Sequence, residues 1–267
     1  MSFDPEILES VLAIAYDESR KIIDASQSAL HVAMKSSFSD LVTDVDEEIE
    51  RSLSTRLRNL IKDSQVLGEE SQTEVDLNAV LWIVDPVDGT TNLIHGLPYS
   101  AVSVALSVDS EVRLATVVNP FTKEMFFAVK GRGSFVRGRG LDDRRLNVSE
   151  LTELQSSLVS FGLPYDRRHA PVVFEKAEVI FEHCQDLRRL GSAALDIVSI
   201  ARGHTQAHFE MDLRFWDVAA ATLILQEAGG HVTTWTGETP NWESTVLKQP
   251  FLASNGHTHA ELLALLS

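Results

Sequence analysis

One segment of the chain, from Trp82 to Asn92, joins a run of apolar residues directly to two aspartates. The apolar residues end at Val84, and Asp85 and Asp88 follow three positions apart. A short apolar run of this kind predicts a buried strand, which would deliver both carboxylates to the loop at its end. Carboxylate oxygens suit hard cations such as Mg2+ or Mn2+, and paired carboxylates can hold two such ions around one phosphate. The segment therefore predicts a metal site at a strand end.

The residues around the two aspartates also fit a plain turn. Asp, Pro, Gly and Asn are common turn residues, so an Asx-type turn that closes the strand is the alternative interpretation. Pro86 favours an extended Asp85 and has no N–H group, which leaves the Val87 carbonyl free to face a cation. If a helix starts after them, the N–H groups of Gly89 and Thr90 and the Thr90 hydroxyl could bind a phosphate oxygen.

Adjacent glutamates after a short apolar run could join the pair of aspartates. Glu69 and Glu70 follow Gly68, and at a strand end at least one of them would point to the same side as Asp85. A solvated charge pair is the alternative.

Three aspartates precede or open the second predicted helix, and a fourth opens a later one. Asp44 and Asp46 could be metal ligands, or first-turn residues that complement the helix dipole, and Asp40 lies just before them. Asp217 lies at the start of an apolar helix, where it would be an N-cap or a ligand; taken alone it would be a cap.

Composition limits the classes of protein that the chain can belong to. Its 267 residues are 44% hydrophobic, as in an ordinary globular protein with a sizeable core. Lys and Arg total 23 against 39 Asp and Glu, and the formal net charge of −16 makes nucleic acid an unfavourable partner. An anionic substrate would also be repelled unless bound cations invert the local field.

Cysteine content and the N-terminus predict the compartment. The single cysteine, Cys184, rules out an internal disulfide and fits a reducing environment. The N-terminus lacks a basic leader, and no apolar run approaches the roughly 18 residues of a membrane span. We therefore expect a soluble, cytoplasmic protein with no membrane partner.

Hydrophobic spacing predicts a layered α/β (α+β) architecture of helices stacked on sheets. The first helix would begin after Asp4. Helices are predicted at about residues 5–28, 45–60, 171–183, 192–202, 215–228 and 257–266. Strands are predicted near residues 66–67, 80–84, 101–108, 113–118, 124–129, 157–161, 206–210 and 250–254, the earlier ones in a mostly antiparallel sheet. Residues 31–42 are predicted to be an exposed loop.

No linker divides the chain, so we expect a single domain, residues 1–267, with lobes of about 1–140 and 141–267.

Short segments spread over nearly the whole chain share their spacing with one enzyme family. They are Lys35-Ser36-Ser37, Asp40-Leu41-Val42-Thr43, Asp46, Gly68-Glu69-Glu70-Ser71, Asp85 to Asn92, Gly191-Ser192-Ala193-Ala194, Glu210, Trp216-Asp217-Val218-Ala219 and Glu227-Ala228-Gly229-Gly230. The pattern resembles the inositol monophosphatase family of Mg2+-dependent, lithium-sensitive phosphatases. Gly191 to Asp196 is more similar to the bacterial members than to the animal ones. The resemblance implies the αβαβα sandwich of the inositol monophosphatase and fructose-1,6-bisphosphatase type, and a homodimer.

The resemblance also implies roles for residues at matching positions. The implied metal ligands are Glu69, Asp85, the Val87 carbonyl, Asp88 and Asp217. Thr90 and Asp46 would activate the attacking water, and Glu69 is counted with them as catalytic. The implied substrate contacts are Asp88, Gly89, Thr90, Gly191, Ser192, Ala193, Glu210 and Asp217. Glu70 would lie behind the ligands, and the loop with Lys35 and Ser36 resembles a mobile flap near a weakly held third cation.

By resemblance, the chain would hydrolyse a phosphomonoester by in-line attack of water, using two or three Mg2+ ions, or Mn2+, in each site. Inositol monophosphate is the favoured substrate. Histidinol phosphate, fructose 1,6-bisphosphate and 3′-phosphoadenosine 5′-phosphate stay open, because the stretch from Met211 to Arg214 could alter which alcohol fits. A regulatory binding partner of the transcription machinery is the alternative from another class.

Other reactive residues give weaker signals. Cys184 has no evident partner that would orient it as a nucleophile. The histidines show no paired spacing for zinc; they include His95, His204, His208, His257 and His259. One basic cluster predicts a solvated turn, with a partner-docking surface as the alternative. Its members are Arg132, Arg137, Arg139, Arg144 and Arg145.

Overall fold

The computed structural model describes residues 5–27, 30–37, 40–71, 74–138, 142–242 and 248–267. Asp4, after which the first helix was expected to begin, and Arg139 of the basic cluster lie outside these ranges. For Ser36, Ser37 and Asp40 the structure describes the backbone and not the side chains.

All of the helices predicted from hydrophobic spacing form, and a short helix follows the two aspartates. The helices are α1 (Pro5–Ala25), α2 (Asp44–Leu60), α3 (Thr90–Ile94), α4 (Ala170–Phe181), α5 (Ala193–Ala201), α6 (Phe215–Glu227) and α7 (His259–Leu266). The helix ends differ from the predicted ones by up to three residues, because fraying and capping decide the last turn.

The strands include every one that was predicted. They are β1 (Val32–Ser37), β2 (Asp40–Thr43), β3 (Gln65–Gly68), β4 (Leu81–Asp88), β5 (Ala101–Val108), β6 (Glu111–Asn119), β7 (Glu124–Val129), β8 (Ser134–Arg137), β9 (Asp143–Arg145), β10 (Leu158–Phe161), β11 (Asp186–Arg188), β12 (Ala207–Leu213), β13 (His231–Thr233) and β14 (Gln249–Ser254). The short strands β8, β9, β11 and β13 were not predicted.

Two large sheets organise these strands. A seven-stranded sheet has the order β3-β4-β5-β6-β7-β8-β9, and a five-stranded sheet has the order β11-β10-β12-β14-β13. In the first sheet only β3 and β4 run parallel, which confirms the mostly antiparallel prediction. In the second sheet β10 runs parallel to β11 and β12.

Helices cover both faces of each sheet and complete the αβαβα sandwich. Helices α1 and α2 pack on one face of the seven-stranded sheet, and α5 and α6 lie between the two sheets. Helices α4 and α7 cover the far face of the five-stranded sheet. Because α6 lies between two sheets it is apolar on almost every side, and the start of β4, from Leu81 to Val84, is buried on both faces.

The expectation of a loop over residues 31–42 is wrong. Strands β1 and β2 form an antiparallel hairpin in which Val32 pairs with Thr43 and Met34 with Leu41. Val32 is 43% exposed and Met34 69% exposed, so β1 lacks the one-sided burial that identifies a strand in a sequence, and β2 has only four residues.

Of the basic cluster, Arg137, Arg144 and Arg145 lie on the last two strands of the seven-stranded sheet, and Arg132 lies in the turn between β7 and β8. Arg137 lies on β8 and bonds Glu9 and Asp143, while Arg144 and Arg145 are exposed on the edge strand β9. No helix in the described ranges has the length and apolar content needed to cross a membrane.

Candidate active site

The two aspartates lie in the last part of β4, where the pairing with β5 is interrupted. Asp85 pairs with Ser103 and Asp88 with Ala101, and a bulge separates the two positions. Asp85 Oδ1 accepts a hydrogen bond of 3.1 Å from the Val87 N–H, so an Asx-type turn is built into the bulge. The Asx-type turn that was the alternative interpretation therefore forms, and it forms within the strand end that carries both aspartates. The bulge turns the carboxylates out of the ladder.

Three carboxylates converge at this strand end. One ligand oxygen from each of Glu69, Asp85 and Asp217 lies within 4.8 Å of the others. Glu69 follows β3, which runs parallel to β4, and the Glu69 N–H donates to the Val84 carbonyl at 3.3 Å. Because parallel strands end at the same edge, Glu69 is brought beside Asp85, as the sequence predicted.

Asp217 enters the cluster from α6, and it is not the N-cap, which was one of the two roles that the sequence allowed. Arg214 is the N-cap, and Asp217 lies three residues later, where its Oδ2 accepts a bond of 2.7 Å from the Arg214 N–H. A carboxylate in the first turn of a helix is favoured by the helix dipole. Asp217 thus fixes the helix start and also faces the cluster.

Asp88 joins the strand end to the N-terminus of α5. Its Oδ2 accepts bonds from the Ser192 hydroxyl at 2.6 Å and the Ala194 N–H at 2.7 Å, and its Oδ1 lies 3.3 Å from the Ala193 nitrogen. Ser192 is buried, so we expect it to act by holding Asp88. Unpaired N–H groups at a helix start stabilise such a carboxylate.

A threonine and an aspartate form a buried pair beside the cluster. Thr90 Oγ1 lies 2.8 Å from Asp46 Oδ1 and 3.0 Å from the Val87 carbonyl oxygen. Asp46 Oδ2 accepts bonds from the Thr43 N–H and hydroxyl, so Asp46 stabilises the start of α2 as well. Burial raises the pKa of Asp46, and the bonds from Thr43 and Thr90 oppose that rise.

Burial makes the cluster electrostatically unfavourable while no cation neutralises it. Burial and the neighbouring carboxylates raise the pKa values of Asp85 and Asp217 well above the ordinary range. Burial raises the pKa of Asp88 to about 7, despite the bonds from Ser192 and Ala194. Each of these groups ionises more readily if a cation is present.

We expect the stability of the metal-free protein to fall as pH rises and the stabilisation by Mg2+ to grow over the same range. The raised pKa values mean that the folded chain holds more protons than the unfolded chain between about pH 4 and pH 7, so metal-free stability falls as pH rises through that range. Cation binding displaces those protons, so the increase in Tm on adding Mg2+ should be larger at pH 8 than at pH 6. Thermal unfolding in EDTA and in Mg2+ measures this; an equal increase at both pH values would contradict it.

Lys35 reaches the cluster from the β1–β2 hairpin. Its Nζ lies 2.8 Å from Glu69 Oε1 and 2.6 Å from Glu70 Oε1. Burial would lower the pKa of Lys35, but the charges and hydrogen bonds of Glu69 and Glu70 outweigh it and raise that pKa. Burial and then the Glu69 charge raise the pKa of Glu70 to about 7. The side chain of Ser36, expected in the same flap, is outside the description.

Glu50, which the sequence did not indicate, fixes the turn that carries Glu69. Its buried carboxylate accepts bonds from the Glu70 N–H at 2.7 Å and the Ser71 N–H at 2.8 Å. The carboxyl group fits only because residue 68 is glycine: a Cβ there would lie 2.3–2.5 Å from its atoms.

Gly68→Ala should therefore displace Glu50 and the turn together. We expect the free energy of unfolding to fall by about 1–3 kcal/mol, as for other overpacked sites, and the affinity for Mg2+ to fall with it. Gly138→Ala is a matched control, because its Cβ would meet Glu124 Cγ at an ordinary 3.9 Å. Chemical unfolding and Mg2+ calorimetry test both variants; equal behaviour of the two would show that the Gly68–Glu50 packing is unimportant.

The carboxylates open into a cavity of about 390 Å³. Its lining contains most of the implied substrate contacts, namely Asp88, Gly89, Thr90, Gly191, Ala193, Glu210 and Asp217. Gly89 and Gly191 have positive φ angles of 96° and 90°, which glycine adopts without strain. A Cβ on Gly89 would lie 2.9 Å from the Tyr99 carbonyl oxygen, so only glycine allows this close approach.

Sequence reasoning missed two residues that line the cavity and one that contacts its lining. Tyr165 and Arg189 line it, and they follow the strands β10 and β11, which only the order of the second sheet brings together. His208 was set aside as lacking a metal partner, yet it is fully buried and lies 3.2 Å from Glu210. The spacing of His208 and Glu210, two residues apart on one strand, was the available signal.

Buried carboxylates that converge at a polar cavity are typical of enzymes that use divalent cations for phosphoryl chemistry. A model of the inositol monophosphatase family matches residues 7–267. The chain belongs to the inositol monophosphatase family, and this membership supports a metal-dependent phosphatase.

Two similar bacterial proteins share one name. "Nus factor SuhB" of Pasteurella multocida is 35% identical over 210 residues, which cover 78% of this chain and 76% of that protein. "Nus factor SuhB" of Escherichia coli is 36% identical over 211 residues, 78% of this chain and 77% of that protein.

Solved structures share the fold over almost the whole chain. The extragenic suppressor protein SuhB from Bartonella henselae has a TM-score of 0.89 and 29% identity, with 98% of each chain covered. An IMPase from Thermotoga maritima has a TM-score of 0.84 and 30% identity, with 96% of this chain and 94% of that chain covered.

Proposed function

We propose that the chain is a Mg2+-dependent phosphomonoesterase that acts on a small phosphorylated alcohol. The observation that carries the proposal is the convergence of Glu69, Asp85 and Asp217 at the cavity. An all-oxygen donor set fits Mg2+ or Mn2+. Two or three such ions would be held by Glu69, Asp85, the Val87 carbonyl, Asp88 and Asp217.

The bound ions would supply charge stabilisation for the phosphate and a lower pKa for the attacking water. Side chains of the protein would orient the attacking water and accept its proton. The Thr90 hydroxyl can donate its proton to Asp46 and accept a hydrogen bond from the water at the same time. Asp46 is a better proton acceptor because burial raises its pKa. The pair would therefore orient the water and take up its proton.

The other side of the cavity would bind the alcohol. Glu210 offers a carboxylate to a substrate hydroxyl, and the glycines at 89 and 191 allow the phosphate and the alcohol to approach the backbone. Asp212 lines the same cavity and lies 2.5 Å from His169 Nδ1, so this stretch would help to select the alcohol. Inositol monophosphate is the first candidate, followed by histidinol phosphate, fructose 1,6-bisphosphate and 3′-phosphoadenosine 5′-phosphate.

Phosphate release from these four esters in Mg2+ tests the proposal, with Asp88→Asn as the control variant. We expect one ester to be cleaved fastest and the variant to be inactive, because Asp88 would contact both metal and substrate. Failure to cleave any of them in Mg2+ or Mn2+ would remove the phosphatase assignment.

A second candidate function is a binding partner of the transcription machinery, which the name of the relatives favours. Arg144 and Arg145 on the exposed edge strand β9 are the residues to test, because Arg137 is bonded to Glu9 and Asp143. Charge reversal at both positions should weaken binding to a purified bacterial transcription complex while phosphatase activity survives. Unchanged binding would exclude this surface.

The remaining expectations are part of the same proposal. They are a single domain with lobes of about residues 1–140 and 141–267, a homodimer, a cytoplasmic location and inhibition by lithium. The homodimer and the inhibition by lithium rest on the family resemblance, whereas the single domain rests on the absence of a linker and the location on the single cysteine and the N-terminus. Sedimentation of the purified protein and activity in LiCl test the homodimer and the inhibition.

A further inference from the structure

A buried polar network connects Glu210 to residues that have no part in the proposed chemistry. His208 is 0% exposed, and its Nε2 lies 3.2 Å from Glu210 Oε2. Its Nδ1 lies 2.9 Å from Ser160 Oγ and 3.7 Å from Asp196 Oδ2. The Tyr99 hydroxyl donates to the other oxygen of Asp196 at 2.9 Å.

The partners determine where the protons of His208 lie. An ionised carboxylate only accepts, so Nε2 carries a proton and donates it to Glu210. Ser160 Oγ lies 3.4 Å from the Ala207 carbonyl, so its hydroxyl can donate there and accept from Nδ1–H. Burial would lower the pKa of His208, but its bond to Glu210 and the charges of Asp196 and Glu210 raise it. An imidazolium between two carboxylates fits all of these contacts.

Glu210 is confined by the backbone as well. A Cβ on Gly162 would lie 1.9–2.2 Å from the carboxyl atoms of Glu210, so this carboxyl group packs directly against the glycine. A carboxylate that is packed against backbone and bonded through one oxygen has little freedom to rotate. Its second oxygen is then the one that remains for a ligand in the cavity.

We propose that His208 is a positioning residue that selects the alcohol portion of the substrate. It holds Oε2 of Glu210 so that Oε1 accepts a hydrogen bond from a substrate hydroxyl. The inference rests on the proposed function, because it deepens the role given there to Glu210. A site that is fixed to bond a hydroxyl discriminates against esters that lack one. His208 therefore favours phosphate esters of polyhydroxy alcohols over simple aryl esters.

Two amide variants separate the hydrogen bond from the packing of the ring. In His208→Gln the amide nitrogen reaches close to the place of Nε2 and can still donate to Glu210. In His208→Asn the nitrogen lies near the place of Nδ1 and cannot. Both remove the buried ring and its charge, so a general loss of packing would affect both. The substrates are the best alcohol phosphate of the four above and p-nitrophenyl phosphate, whose alcohol portion has no hydroxyl.

We expect His208→Asn to raise KM for the alcohol phosphate about tenfold, the usual effect of losing one charge-assisted hydrogen bond, with kcat changed less than about threefold. His208→Gln should stay within about threefold of the wild type, and p-nitrophenyl phosphate should be cleaved equally by all three proteins. Adding His208→Asn to Glu210→Ala should cause no further change in KM, because His208 acts through Glu210.

Equal KM values for the two amide variants, or equal losses on both substrates, would overturn the inference while leaving the proposed function intact. A wild-type protein that cleaves no alcohol phosphate would instead overturn the proposed function, and this inference with it. Ring 15N chemical shifts of His208 in the metal-free protein give a further check: Nε2 should be protonated and should respond to Glu210→Gln. An unprotonated Nε2 would contradict the proposed bond.

Discussion

Replacing Thr90 by alanine is expected to lower kcat by about a hundredfold or more while Mg2+ affinity changes little. The Thr90 hydroxyl lies 2.8 Å from Asp46 Oδ1. Thr90 is not one of the three converging carboxylate residues that would hold the ions. Proton transfer by a positioned group contributes typically 10²–10⁴-fold to a rate. Steady-state kinetics together with Mg2+ calorimetry measure the two effects separately.

Two companion variants make this result specific. Thr90→Ser keeps the hydroxyl and should recover most of the rate. Asp46→Asn keeps an oxygen that can accept the Thr90 bond but loses the basic carboxylate, so it should be as slow as Thr90→Ala. A Thr90→Ala protein with nearly wild-type kcat would exclude the pair from the activation of water.

Asp85→Asn should abolish activity and at the same time stabilise the metal-free protein. Burial, and then the charges of Glu69, Asp88 and Asp217, raise the pKa of Asp85, so a neutral isostere relieves both the desolvation and the repulsion. An amide is a poor ligand beside carboxylates, and several kcal/mol of charge stabilisation in the reaction correspond to about a thousandfold or more in rate. Tm in EDTA should rise, and its further increase in Mg2+ should largely disappear.

Asp109→Asn provides the matched control for this substitution. Asp109 is exposed in the turn between β5 and β6, and its positive φ of 54° is a conformation that asparagine also tolerates. We expect no change in Tm, in the response to Mg2+ or in activity. If Asp85→Asn still gains the full increase in Tm from Mg2+, the cations bind elsewhere.

The sequence predicted those parts of the site that follow from local pattern. The apolar run before Asp85 predicted β4 because a strand buried on both faces is continuously apolar. Glu69 was expected beside Asp85 because both follow buried strands. The hairpin of β1 and β2 was missed because Val32 and Met34 leave β1 exposed, without alternating burial, and because β2 has only four residues.

The other parts of the site depend on contacts between residues that are far apart in the sequence. The sequence left Asp217 as an N-cap or a ligand, and only the structure shows that the N-cap of α6 is Arg214, three residues earlier. The network around His208 forms because β10, α5 and β12 are in contact. The hydrophobic periodicity of a single segment cannot predict contacts between three separate elements. In the sequence, Gly68 and Gly162 look like ordinary residues at strand ends. In the structure, the carboxyl groups of Glu50 and Glu210 pack against these two glycines.

The dependence of turnover on Mg2+ tests the central claim most directly. The protein is treated with EDTA and transferred to metal-free buffer, and phosphate release from its best alcohol phosphate is followed as Mg2+ is added back. We predict no turnover without the ion and a saturable return of activity, which Asp85→Asn should not show. Equal turnover in EDTA and in Mg2+ would contradict the assignment of the carboxylate cluster as a catalytic metal site.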